Sequence, residues 1–196
     1  MILIRLFLLV IFCSLVSIVS SQSIIEWDGK YQLQLTDFQS RATQIGESNI
    51  YSIHTTSGIQ FAYAMSNAEF MMTKNFNSKV SCSFDRSAAS IVASDSTLAL
   101  YLVGFARYEF DLSELYARKL RKRIYEEKSA FSNINFFQPI YNEIQQAFTE
   151  RHTTAGKVTD LGRNQEKLKT LHQEVLDEIE ELSEFCKACK PVKKKK

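Results

Sequence analysis

A stretch that opens at Asp95 and meets no proline until Pro139, with Gly104 as its only glycine, constrains this chain more than any other feature. Glycine and proline are the residues that most strongly interrupt helices, so their near absence permits one unusually long helix. Asp95 or Ser96 is placed to cap its N-terminus by accepting backbone N–H bonds. Leu98, Leu102, Phe105, Glu109, Leu112, Tyr116 and Leu120 recur at the 3,4 spacing of a single helical face, which predicts that this face is buried against a sheet. Glu109 is the odd member of that apolar stripe. It needs a hydrogen-bonded or charged partner or a raised pKa, and Arg86, Lys79 and Arg151 are the candidate partners. Arg118, Lys119, Arg121, Lys122 and Arg123 follow, and they read as a solvated helix end whose cations oppose the negative pole of the dipole. No aromatic platform is interleaved among them, which argues against a site for single-stranded nucleic acid.

The sequence before the helix has a different period. Residues 31–35, 49–53 and 59–63 alternate apolar and polar side chains as half-buried strands do, and Gly29, Gly46 and Gly58 punctuate them. Residues 71–84 add a further strand or two, with a turn as the other reading of residues 75–77. Beyond the long helix, a second helix is predicted to begin near Pro139 within residues 135–148, followed by a polar connection over 151–156. A third spans about 160–185, with Leu161, Leu168, Leu171, Val175, Ile179 and Leu182 on its apolar side. The fold class is therefore α+β: a small, mainly antiparallel sheet in the N-terminal half, packed on a long central helix, with C-terminal helices. At 196 residues and 45% hydrophobic content the chain suits one domain and is no disordered tail. Its net charge of +2 gives no general case for nucleic-acid binding.

The N-terminus reads as a targeting signal. One cation at Arg5 precedes an apolar stretch over residues 6–19, and small residues 19–21 offer cleavage near Ser21. The expected layout is a signal peptide over 1–21, a single domain over 22–185 and a CxxC and lysine-rich tail over 186–196. The product is expected to be exported, periplasmic or extracellular. Of the 4 cysteines, Cys82, Cys186 and Cys189 lie beyond the leader, an odd number that does not suggest a disulfide framework. Cys186 and Cys189 form a CxxC spacing, readable as a local disulfide, a regulatory thiol pair or, lacking a second such pair, a weak metal site. The residues 193–196, all lysine, suggest contact with an acidic surface or envelope component.

Motifs for catalysis are scarce. The 3 histidines, His54, His152 and His172, are too scattered for two imidazoles on one turn of helix. No phosphate-binding loop, dinucleotide fingerprint or nucleophile elbow is present. A Cys/His nucleophilic pair can be written, such as Cys82 with His152, but two scattered residues carry little specificity.

Residues 104–122, Gly-Phe-Ala-Arg-Tyr-Glu-Phe-Asp-Leu-Ser-Glu-Leu-Tyr-Ala-Arg-Lys-Leu-Arg-Lys, resemble the central helix of a bacterial family described as predicted secreted zinc-dependent proteases. Members of that family show His-Glu-x-x-His-Phe-Asp followed by a helix rich in Ala-Arg-Lys-Leu-Arg. Weaker similarities run through Trp27, residues 36–39, residues 56–59 and Phe76. The resemblance implies a zincin-like fold and a zinc ion, but every residue that would hold or serve the metal differs. The first zinc-binding His falls on Phe105, the general-base Glu on Ala106 and the second His on Glu109. A further His of a Thr-x-His-Gly segment falls near residues 154–156.

A catalytic zinc needs about three protein ligands, an open water position and a nearby base. Phe105 has no lone pair to give and Ala106 moves no proton, so neither catalytic residues nor a zinc ion is expected here. Phe105, Ala106, Glu109, Asp111 and Glu114 then mark a vestigial site. The leading expectation is an exported, noncatalytic relative of that family with a binding or structural role. One alternative is a hydrolase whose metal site is rebuilt from Glu109, Asp111, Glu114 and either His54 or His152, which requires those side chains to converge. The other is an envelope-associated interaction protein that uses the C-terminal helix and basic tail.

Overall fold

The computed structural model describes residues 23–191 apart from 47, 63 and 130. The expected leader over 1–21 and the lysines 193–196 lie outside the described residues.

The architecture is a mixed α+β fold in which small sheets pack against a central helix and C-terminal helices. Six short strands come first: β1 (Ile24–Glu26), β2 (Gln44–Ile45), β3 (Ser52–His54), β4 (Gly58–Phe61), β5 (Val80–Asp85) and β6 (Ser90–Ala93). A short helix, α1 (Asn67–Met72), lies between β4 and β5. Then come the long α2 (Ser96–Glu127), α3 (Phe137–Thr159) and α4 (Gln165–Glu181).

The strands make two three-stranded sheets, where the sequence suggested one. In the first, β5 pairs antiparallel with β1 and with β4, in register Ile25 to Phe84 and Ile59 to Cys82. In the second, β6 pairs antiparallel with β3 and parallel with β2. The alternating residues 31–35 form no strand. Leu33 is buried, but its carbonyl accepts from Arg107 Nε at 2.7 Å and the chain then tightens into a 3-10 turn over Leu35–Asp37. The start of residues 71–84 also departs from the strand reading: Ser66 caps α1 through the Glu69 N–H, and the helix runs to Met72.

Helix α2 is capped by Asp95, whose carboxylate accepts from the Leu98 N–H at 2.9 Å. All of its expected stripe is buried except the half-buried Leu98. The enclosure goes further than one face, because sheet strands pack on one side of α2 while α3 and α4 cover the other. This corrects the reading of its basic cluster. Arg118 and Arg121 do not end a solvated helix: they are 7% and 1% exposed. The helix continues to Glu127, so both arginines sit well before its end, under α4.

Two boundaries of the C-terminal helices differ from the sequence reading. Residues 151–156 are not a connection but the body of α3. The break comes later, where Asp160, Leu161 and Gly162 take positive φ and reverse the chain, so α4 begins at Gln165 and not near 160. At Gly162 a Cβ would press into the Tyr101 carbonyl of α2, so a side chain is excluded there by contact as well as by φ.

Candidate functional site

Helix α2 carries two buried carboxylates, Glu109 and Glu114, and a half-buried one, Asp111, and each finds a different partner. Glu109, 6% exposed, receives a hydrogen bond from the Thr55 hydroxyl, just after β3, and its other oxygen lies 3.2 Å from Nε2 of His152 on α3. That Nε2 is buried yet off the line a directed hydrogen bond requires, so the contact is electrostatic rather than a well-aligned bond. The neighbouring carboxylate nevertheless pulls the His152 pKa above its usual value, against the lowering effect of burial. The imidazole is stacked on Phe148 at 5.8 Å and tilted over Phe105 at 5.5 Å.

Asp111, about half a turn further along, accepts from Trp27 Nε1 at 2.6 Å and contacts His172 Nε2 of α4 at the same distance. Glu114 is enclosed by guanidinium groups. Its Oε1 lies 3.0 Å from Arg118 Nε and 2.8 Å from an Arg121 terminal nitrogen. Those arginines have a second task. Arg118 donates to the Ile179 carbonyl at 2.7 Å, and Arg121 donates to Val80 at 2.9 Å and to Phe185 at 3.1 Å. They thereby satisfy acceptors at the C-terminal end of α4 that no intrahelical donor reaches, and tie that end to β5.

The partners foreseen for Glu109 are all engaged elsewhere: Arg86 with Asp37, Lys79 with Glu69 and Arg151 with Glu178. His152 enters the sequence reading only as a ligand of a rebuilt metal site or as a partner of Cys82, because its segment reads as a polar connection and not as a helix packed on α2. His172 sits beside Leu171 on the edge of the apolar stripe of α4, and that placement was the one signal that it points inward. Phe105 and Ala106 are 1% and 0% exposed, their side chains part of the core.

The convergence that a rebuilt metal site requires does not occur. Glu109, Asp111 and Glu114 go to His152, to Trp27 with His172, and to the two arginines, while His54 on β3 is exposed. Among the described residues no group of three or more His, Cys, Asp and Glu side chains is arranged to hold a metal ion. Cys82 and His152 form no nucleophilic pair either. The Cys82 thiol is buried under the Phe110 carbonyl, 3.7 Å away, and burial pushes its pKa well up, so it stays protonated.

Cys186 and Cys189 are joined in a disulfide with Cα atoms 5.0 Å apart. The loop they close is fastened to the body: Asn75 and Asn77 donate to the Cys189 carbonyl at 3.0 and 3.1 Å, and Lys187 pairs with Glu26 at 2.8 Å. Among the described residues no helix is long and apolar enough to cross a membrane. No family model matches the chain, and no curated protein or solved structure is significantly similar to it.

Proposed function

We propose that this protein is an exported, noncatalytic relative of the predicted secreted zinc-dependent proteases, with a zincin-like ancestry and a former metal site now repacked as core. Its present role is binding or structural. The observation that carries this reading is a convergence of positions far apart in sequence. Phe105 and Glu109 on α2 meet the segment of α3 to which the resemblance assigns a third metal ligand. A Cβ at Gly156 would lie 3.5 Å from the Phe105 ring, and His152, one turn earlier, contacts both Phe105 and Glu109.

The side chains present do not fit zinc. Glu109 and His152 supply two donors where about three protein ligands are needed, and they are already paired with each other. Phe105 fills the place of a ligand, and its burial contributes about 1.5–3 kcal/mol to the fold. Ala106 has no atom that takes a proton from an attacking water. Export rests on the leader over 1–21.

Metal analysis of protein purified with excess zinc tests the reading, and no stoichiometric zinc is expected. The triple substitution Phe105→His, Ala106→Glu and Glu109→His should then create zinc binding measurable by titration calorimetry. Stoichiometric zinc in the unaltered protein overturns the proposal.

A further inference from the structure

One end of the molecule combines exposed apolar side chains with lysines that have no carboxylate partner. Met71 and Met72, at the close of α1, are 68% and 88% exposed, and Phe131, in the turn after α2, is 98% exposed. Two contacts bring these segments together. The Lys128 ammonium lies 4.7 Å from the centre of the Phe70 ring, and Lys74 Nζ donates to the Lys128 carbonyl at 2.5 Å. Phe131 is three residues from Lys128, and Met71 is adjacent to Phe70, so the apolar groups lie within roughly 10 Å of chain from that junction.

The charges at this junction are unusual. Lys128 is 6% exposed, yet no described carboxylate forms an ion pair with it or with Lys74. The nearby acids are committed elsewhere, Glu69 to Lys79 and Glu127 to Arg123, which leaves Glu126 as the acidic side chain of that helix end outside an ion pair. Lys74 itself lowers the pKa of Lys128, after burial, as a like charge does. Two neighbouring ammonium groups without a carboxylate favour an approaching anion. The positive surface continues into a depression of about 470 Å³ that Lys74 shares with Lys187 and Lys190. The sequence beyond it ends in lysines 193–196.

We propose that the end of the molecule formed by Met71, Met72, Lys74, Lys128 and Phe131 is a docking surface for an anionic lipid membrane. The exposed Lys74 meets phosphate headgroups, with Lys128 adding its positive field from just beneath the surface, while Met72 and Phe131 enter the boundary with the acyl chains. An acidic polymer such as polyphosphate would satisfy the lysines but leave those two side chains in water. A bilayer interface takes both groups at once, and that decides the occupant. This surface lies away from Glu109 and His152, and the proposal is independent of the repacked-site reading.

Vesicle flotation of the protein without its leader, using phosphatidylcholine with and without phosphatidylglycerol, tests it. Binding is expected on the anionic vesicles alone and should fall as salt rises. Phe131→Ser with Met72→Ser should weaken it about tenfold or more. Lys74→Gln and Lys128→Gln should weaken it about fivefold each. Ile50→Ser, at an exposed apolar side chain outside this patch, should leave it unchanged, and circular dichroism confirms that each variant is folded. Deleting residues 192–196 should lower binding without removing its dependence on Phe131. Equal binding to neutral vesicles, indifference to Phe131 and Met72, or loss of all binding with the deletion overturns the proposal, as does competition that shows the protein prefers soluble polyphosphate.

Discussion

Two stretches of helix α2 solve the same problem in different ways. Around Glu109 and Asp111, one buried and one half-buried carboxylate face histidines brought in by α3 and α4, with Thr55 and Trp27 donating from the N-terminal half. A turn later, Glu114 faces two arginines whose remaining N–H groups hold backbone carbonyls of β5 and the end of α4. A guanidinium stays charged at any physiological pH, whereas an imidazole does not. The second stretch is therefore a permanent structural clasp, whereas in the first the contact of His152 with Glu109 is one whose strength follows proton concentration.

The largest expected effect comes from breaking the clasp. Glu114→Ala leaves two buried guanidiniums without their counter-ion and should cost about 3–5 kcal/mol in denaturant unfolding. Replacing Glu114, Arg118 and Arg121 together by apolar residues of similar size should cost much less, since no charge is then stranded. If both variants lose stability equally, the arginines act mainly through the carbonyls they hold.

A smaller loss is expected at the histidine end. His152→Gln should cost about 1 kcal/mol, because its partly exposed ring gains less from Glu109 than a fully enclosed ion pair would. Its pH dependence is the sharper test. The native pKa lies above the ordinary value, so the stabilisation is complete below about pH 6.5 and is lost as pH rises through the native pKa. The difference in unfolding midpoint between wild type and His152→Gln should accordingly shrink on the alkaline side, while the Glu114→Ala difference stays level from neutral pH to pH 9 or so. A His152 difference that also stays level would erase the contrast between the two stretches.

The smallest effect is spectroscopic. Trp27 is the only tryptophan of the chain and donates to Asp111. Asp111→Asn should shift its fluorescence emission with little change in stability, and an unchanged spectrum would mean that this bond does not persist in solution.

How much of this was written plainly in the sequence depended on the range of the interaction. Helix α2 is specified locally, by an N-cap, a 3,4 stripe and missing helix breakers, and its stripe was legible residue by residue. The fate of Arg118 and Arg121 was not. Local charge density favours a solvated terminus, whereas their burial depends on where α4 lies. The alternation at residues 31–35 failed similarly, because a strand needs a neighbour and Arg107 took the Leu33 carbonyl instead. In the candidate site, the oddity of Glu109 was visible as a carboxylate in an apolar stripe. Its contact with His152 was legible only within the rebuilt-metal-site alternative, because His152 lies in a polar stretch whose helical continuation depends on packing against α2.

Gly162 has a mechanical consequence. The Tyr101 carbonyl occupies the space that a Cβ of Gly162 would need, so main chain approaches main chain with no flexible side chain between them. Such a contact works as an indexing stop: α4 cannot creep along α2 by a turn, about 5.4 Å, without lifting off it first. His172 and Ile179 are carried on the same rigid rod, so one bare backbone contact sets the alignment of both the Asp111–His172 contact and the arginine-held end.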